Sequence, residues 1–74
     1  MIRETDGKVP LLAAQVHAIR RTLGVSQNEY ARRCGVHESI LSRLLAGKIT
    51  AGPSLKKIER RVSIDLRVIA RRAS

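Results

Sequence analysis

Between positions 37 and 43 the chain sets five polar side chains of four chemical kinds: His37, Glu38, Ser39, Ser42 and Arg43. An imidazole, a carboxylate, two hydroxyls and a guanidinium fork supply both hydrogen-bond donors and acceptors. This is chemistry for reading the polar edges of another molecule rather than for making or breaking bonds. No carboxylate pair, nucleophile with its base, phosphate-cradling glycine loop or metal cluster accompanies them, so no catalytic residue is expected. Cys34 is the only cysteine and cannot form an internal disulfide; on an apolar helical position it reads as a small buried thiol. His17 and His37 lie too far apart in the chain for ligand spacing, and neither a metal nor any other cofactor is expected.

The charge balance indicates the kind of molecule that would be read. Fifteen Lys and Arg stand against six Asp and Glu, a formal net charge of +9 in 74 residues, which favours a polyanionic partner. One Tyr, with no Phe or Trp, argues against modes that stack single-stranded bases on aromatic platforms and leaves duplex binding. No apolar run is long enough for a membrane span, and the opening MIRETDGK lacks the apolar core of a signal peptide, so the expectation is a protein of the cytoplasm of whatever cell makes it, with no membrane partner and no small-molecule ligand.

Side chains in so short a stretch must be held by elements around them, and a chain of this length can form one small domain. Residues 1–9 are polar and read as a flexible arm. Pro10 suits a first helical turn, and Leu12, Val16, Ile19 and Leu23 then recur at helical spacing before Gly24 ends the segment. Ser26 followed by Glu29 is a capping-box start, with Val25 and Tyr30 as a hydrophobic staple. Tyr30, Ala31 and Cys34 face inward until Gly35 stops this second helix. A third helix over about 37–46 puts Ile40, Leu41, Leu44 and Leu45 on one side and Glu38, Ser39, Ser42, Arg43 and Ala46 on the other. His37 occupies its cap, where Ser, Thr or Asp would be more usual. Gly47 closes it, and Ser54 caps a fourth helix with Leu55, Ile58 and Val62 inward.

Residues 62–69 carry two patterns at once. Val62, Ile64, Leu66 and Val68 alternate with polar residues, which favours an extended segment able to pair with a second copy; Val62, Leu66 and Ile69 also fit a helical face with Ser63 as cap. The expected fold is mainly α, four to five short helices with a central helix-turn-helix and a possible C-terminal strand. Residues 10–62 form the binding domain, and 63–74 a dimerisation segment and basic tail.

Two short helices joined through Gly35 make a helix-turn-helix. With Arg20, Gly24-Val25-Ser26-Gln27, Glu29, Ala31, Gly35-Val36, Ser42-Arg43 and Gly47-Lys48 at these mutual distances, the chain resembles the Cro and phage-repressor family of transcription regulators over about residues 11 to 58. A small Ala31 and a bend at Gly35 let the third helix enter a major groove about 12 Å wide. There the chemistry of Arg43 suits guanine, that of Glu38 a cytosine amino group, and Ser39 and Ser42 can donate or accept, with His37 beside them. The resemblance implies phosphate contacts from Gln27 and Asn28 at the start of the second helix and from Arg20, Lys48 and Thr50 on the flanks. It also implies a lambda-repressor-like fold and a homodimer on a partly palindromic operator, for which the alternation at 62–69 offers Val62, Ile64, Leu66 and Val68 as the dimer surface. Three residues depart from the pattern: His37 replaces a hydroxyl cap, Glu38 is acidic near phosphates, and Leu45 replaces an acid that would pair with Arg20. The alternative is a protein-interaction module of the same fold, such as an antitoxin.

Overall fold

The computed structural model describes residues 4–48 and 52–73, with side chains described over 9–48 and 52–72. Among these residues the chain forms four helices and no strand: α1 (Glu4–Leu23), α2 (Gln27–Cys34), α3 (Glu38–Leu45) and α4 (Pro53–Ala73). The long α1 and α4 pack along each other, α2 and α3 pack together, and both short helices rest on α4. One hydrophobic core joins all four, from Val9, Leu12, Val16 and Ile19 through Tyr30, Ala31, Leu41 and Leu44 to Leu55, Ile58 and Val62.

α1 begins at Glu4 instead of Pro10, so the backbone from residue 4 onward is helical where an arm is expected. Pro10 lies inside the helix and forgoes one backbone hydrogen bond, a loss that would ordinarily break or kink it. Val9, just before it, is buried in the core, and that contact ties the preceding turn to the rest of the fold.

The larger departure is at residues 62–69. They continue α4 as helix and are not extended. Pro53 stands at the first helical position, where its missing N–H leaves no bond unmade, and once the helix is nucleated each further residue adds a hydrogen bond. The β-branched side chains cost only about 0.5 kcal/mol each against that. Helical register also settles which residues turn inward: Leu55, Ile58 and Val62 are buried and Leu66 and Ile69 pack against the core.

This register brings Asp65 inside. It is 4 % exposed and accepts hydrogen bonds from the Tyr30 hydroxyl at 2.8 Å and from Arg61, whose Nε lies 3.3 Å from Oδ2 and Nη2 3.2 Å from Oδ1. A buried carboxylate is tolerated only when paired and hydrogen-bonded, and here it is both. The network fastens α2 to α4. In a strand, Asp65 would share the outward side with Ser63 and Arg67.

Candidate nucleic-acid interface

The interface is built outward from the α2–α3 turn. Ser26 is extended and its Oγ accepts from the Glu29 amide at 3.1 Å, which satisfies one free N–H at the start of α2. The Glu29 carboxylate lies 3.9 Å from the Arg33 guanidinium, a surface pair of small energetic weight. Val25 and Tyr30 pack in the same core, as the staple requires. At the other end, the Gly35 amide donates to Arg32 O at 3.1 Å and the Val36 amide to Ala31 O at 3.0 Å, a Schellman closure. That closure needs the left-handed conformation Gly35 adopts, with φ 78°. Ala31 is fully buried where α2 meets the core, and the turn sends the chain directly into α3.

His37 proves a working cap. Its backbone is extended, and Nδ1 accepts from the Ser39 amide at 3.1 Å, as a capping carboxylate or hydroxyl oxygen would. The Ser39 hydroxyl lies 2.8 Å from the same nitrogen. With Nδ1 as acceptor from the amide, the ring N–H is the one on Nε2, and the Ser39 hydroxyl lies beside the cap with lone pairs for an outside donor. Val36 and Leu41 both pack in the core around this start.

α3 divides as its spacing requires. Leu41 and Leu44 are buried and Ile40 and Leu45 pack against the core, while Ser39, Ser42 and Arg43 are exposed and Glu38 is half-buried. Among the described residues no hydrogen bond or ion pair engages the Arg43 guanidinium or the Ser42 hydroxyl. α3 ends where the Lys48 amide donates to Arg43 O at 2.8 Å.

The residues assigned to phosphates separate. Gln27 is half-buried and its Nε2 donates to Glu38 Oε1 at 3.1 Å, so the first residue of α2 holds the first residue of α3. One amide N–H of Gln27 stays available for a phosphate oxygen. Asn28 is exposed beside it, and Lys48 is exposed beyond α3. Arg20 is less free than the loss of an acid at Leu45 suggests: its Nε donates to Val25 O at 3.4 Å, and its own carbonyl accepts from the Gly24 and Val25 amides. Thr50 lies outside the described residues.

The proposed dimer residues do not share a face. Val62 is buried and Leu66 packs against the core, whereas Ile64 and Val68 are exposed. Antiparallel pairing of strands through all four is therefore replaced by a helix that spends two of them on its own core. Asp65, in turn, is a residue the sequence reading passes over. Its signals were present: Arg61 stands four residues before it, and an inward Tyr30 hydroxyl needs an acceptor. Burial raises the Tyr30 phenol above its ordinary range, and the hydrogen bond to Asp65 raises it further. Burial likewise pushes the Cys34 thiol from 9.0 up to about 11, with Asp65 adding to the shift and Arg61 opposing it.

Among the described residues no helix is long and apolar enough to cross a membrane. Comparison with curated proteins and with solved structures finds no match. A family model described as a helix-turn-helix domain matches residues 11–71, most of the chain and all of the interface just described. The capped α2, the glycine turn and α3 all lie inside that match, and the chain belongs to the helix-turn-helix domain family.

Proposed function

We propose that the protein is a sequence-specific transcriptional regulator of duplex DNA, a Cro-like repressor in type, that lays α3 in the major groove. The observation that carries this reading is the outer side of α3: Arg43 and Ser42 are exposed and unengaged among the described residues, on a helix whose inner side is locked into the core. Arg43 pairs with guanine through its fork, and Ser42 and Ser39 donate or accept according to the base. Glu38, held by Gln27, accepts from a cytosine amino group, and the Nε2–H of His37 is a further donor at the same end. Gln27 and Asn28 at the positive end of α2, Lys48 and Thr50 after α3, and the remaining N–H groups of Arg20 contact phosphates and set the register.

A single α3 reads few base pairs, and a two-fold pair of chains on half-sites about one helical turn apart multiplies the specificity. Selection of bound sites from random duplexes tests both parts. The expected result is an enriched half-site repeated with two-fold symmetry at that spacing. Binding that enriches no sequence, with affinity governed only by salt, would leave a non-specific DNA-binding protein and end the operator reading.

A further inference from the structure

Two of the large apolar side chains left exposed among the described residues, Ile64 at 44 % and Val68 at 40 %, lie together on the outer side of α4. They stand one helical turn apart in a stripe that runs from Lys57 through Arg60, Arg61 and Arg67 to Arg71. The stripe spans about 120° of the helix circumference and is turned away from the buried Leu55, Ile58 and Val62. At its start it meets the end of α2, where Arg33 and Cys34 wall a cleft with Lys57, Arg60, Arg61 and Ile64. Ile64 also borders a second cleft, with Arg67, Val68 and Arg71, so the two run on along α4. No carboxylate lines either one. Glu29 engages Arg33 at 3.9 Å and the buried Asp65 engages Arg61 at 3.2 Å. Lys57, Arg60 and Arg67 are left exposed, with no hydrogen bond or ion pair among the described residues.

We infer that this stripe is the docking surface for an acidic amphipathic helix of another protein, its apolar side laid on Ile64 and Val68 and its carboxylates on the cations around them. Each half of the surface selects part of that occupant. Cations three and four residues apart on one helix, as Lys57 with Arg60 and Arg67 with Arg71, repel one another, and anions set between them relieve the repulsion. A nucleic-acid backbone also supplies anions, but it offers no apolar surface to Ile64 and Val68. Those two β-branched side chains gain nothing on a solvated helix face and gain burial only under an apolar partner. From Lys57 to Arg71 the stripe is about 21 Å long, which matches a partner helix of about four turns with apolar residues one turn apart. A second copy of this chain is a poor match, since it carries fifteen cations against six acids. α3 lines neither cleft, and Arg33 lies about 9 Å along the α2 axis from Gln27, so duplex and partner have separate surfaces. Docking here needs no DNA on α3 and stands apart from the proposed function.

Titration of the isotopically labelled full chain with a synthetic helical peptide, followed by NMR, tests it. The probe is about 16 residues long, with leucines one turn apart on one side and glutamates beside them. One control has the same residues reordered so that no apolar side forms, and the other has Gln in place of each Glu. Amide shifts are expected to gather at Arg33, Lys57, Arg60, Ile64, Arg67 and Val68, with the probe bound at least about tenfold more tightly than either control. Ile64→Gln and Arg60→Gln alter exposed positions, so the circular dichroism spectrum and thermal midpoint stay as in the wild type. Each variant weakens probe binding about fivefold or more and keeps its affinity for the selected duplex within about twofold at equal salt. Equal affinity for the probe and the reordered control overturns the inference, as do shifts gathered on α3 or an Ile64→Gln protein that binds the probe as the wild type does. An Arg60→Gln protein that loses affinity for every duplex while keeping the probe also overturns it, and makes the stripe a second nucleic-acid surface. Failure of the wild type to bind any duplex strikes the DNA reading alone, because the titration contains no DNA.

Discussion

The contact between α2 and α4 and the outer side of α3 use the same chemistry, an acid and an arginine on one helix, for opposite ends. On α4, Arg61 and Asp65 are four residues apart, so they lie on one face and meet, and Tyr30 from α2 completes the set. On α3, Glu38 and Arg43 are five apart, which turns them about 140° from each other around the axis. They do not pair: Glu38 accepts from Gln27, and Arg43 has no partner among the described residues. One residue of register decides whether a charge is spent inside the fold or kept for another molecule.

If that contrast holds, damage on the α4 side should fall on stability and damage on the α3 side on DNA binding. The largest effect is expected for Asp65→Ala, which strips the acceptor from the buried Tyr30 hydroxyl and from Arg61. Urea denaturation should show a loss of about 3–5 kcal/mol. A loss within about 0.5 kcal/mol, as for an exposed pair, would erase the distinction between the two regions.

Alkaline pH probes the same dehydrated region with no change of sequence. The folded chain holds the Cys34 proton up to about 11, whereas an ordinary thiol releases it near 9.0, and the Tyr30 phenol is raised from 10.0 as well. Above the ordinary values the unfolded chain therefore binds fewer protons than the folded one. Stability is fully present below about pH 9 and falls as the pH rises toward 11, by about 1–3 kcal/mol from Cys34. Denaturation midpoints across that interval should drop for the wild type and flatten in a Cys34→Ala, Tyr30→Phe double variant; a flat wild-type profile would mean that neither group is dehydrated.

On α3 the expected effects are smaller and lie in binding. Arg43→Ala should weaken the selected site by about 1–3 kcal/mol, relax preference at one base pair and leave stability within about 0.5 kcal/mol. Equal weakening on every duplex would make Arg43 a phosphate contact. Gln27→Ala sharpens the comparison further: as a phosphate contact it costs about 1 kcal/mol on all sequences alike. If base preference changes instead, Gln27 acts through the Glu38 carboxylate it holds.

What the sequence discloses and what it hides follow from the range of the forces involved. The starts and stops of α2 and α3 are legible at Ser26, Gly35 and Gly47 because caps and left-handed turns are decided by neighbouring residues. The split of α3 into Leu41 and Leu44 inside and Ser42 and Arg43 outside is likewise legible, since it needs only helical spacing. Residues 62–69 are not, because they satisfy two periods. What decides between those periods lies elsewhere: Asp65 meets a hydroxyl 35 residues earlier in the chain. The start of α1 escapes for a similar reason, since Val9 gains its place from the core. His37 is missed by preference rankings, although its Nδ1 lone pair serves the cap as an oxygen would.

Cys34 gives the α2–α4 contact a means of keeping time. Cys34 is 7 % exposed and is the last residue of α2, a helix that packs on α4. With its proton held up to about 11, the thiol is almost wholly protonated at pH 7 while the fold is closed. A thiol reagent must wait for the helix to lift, so its rate of reaction counts the excursions in which the end of α2 separates from its support. With one cysteine in the chain, every modification reports that single local opening, and the stability of the turn that presents α3 can be followed in native buffer without unfolding the protein.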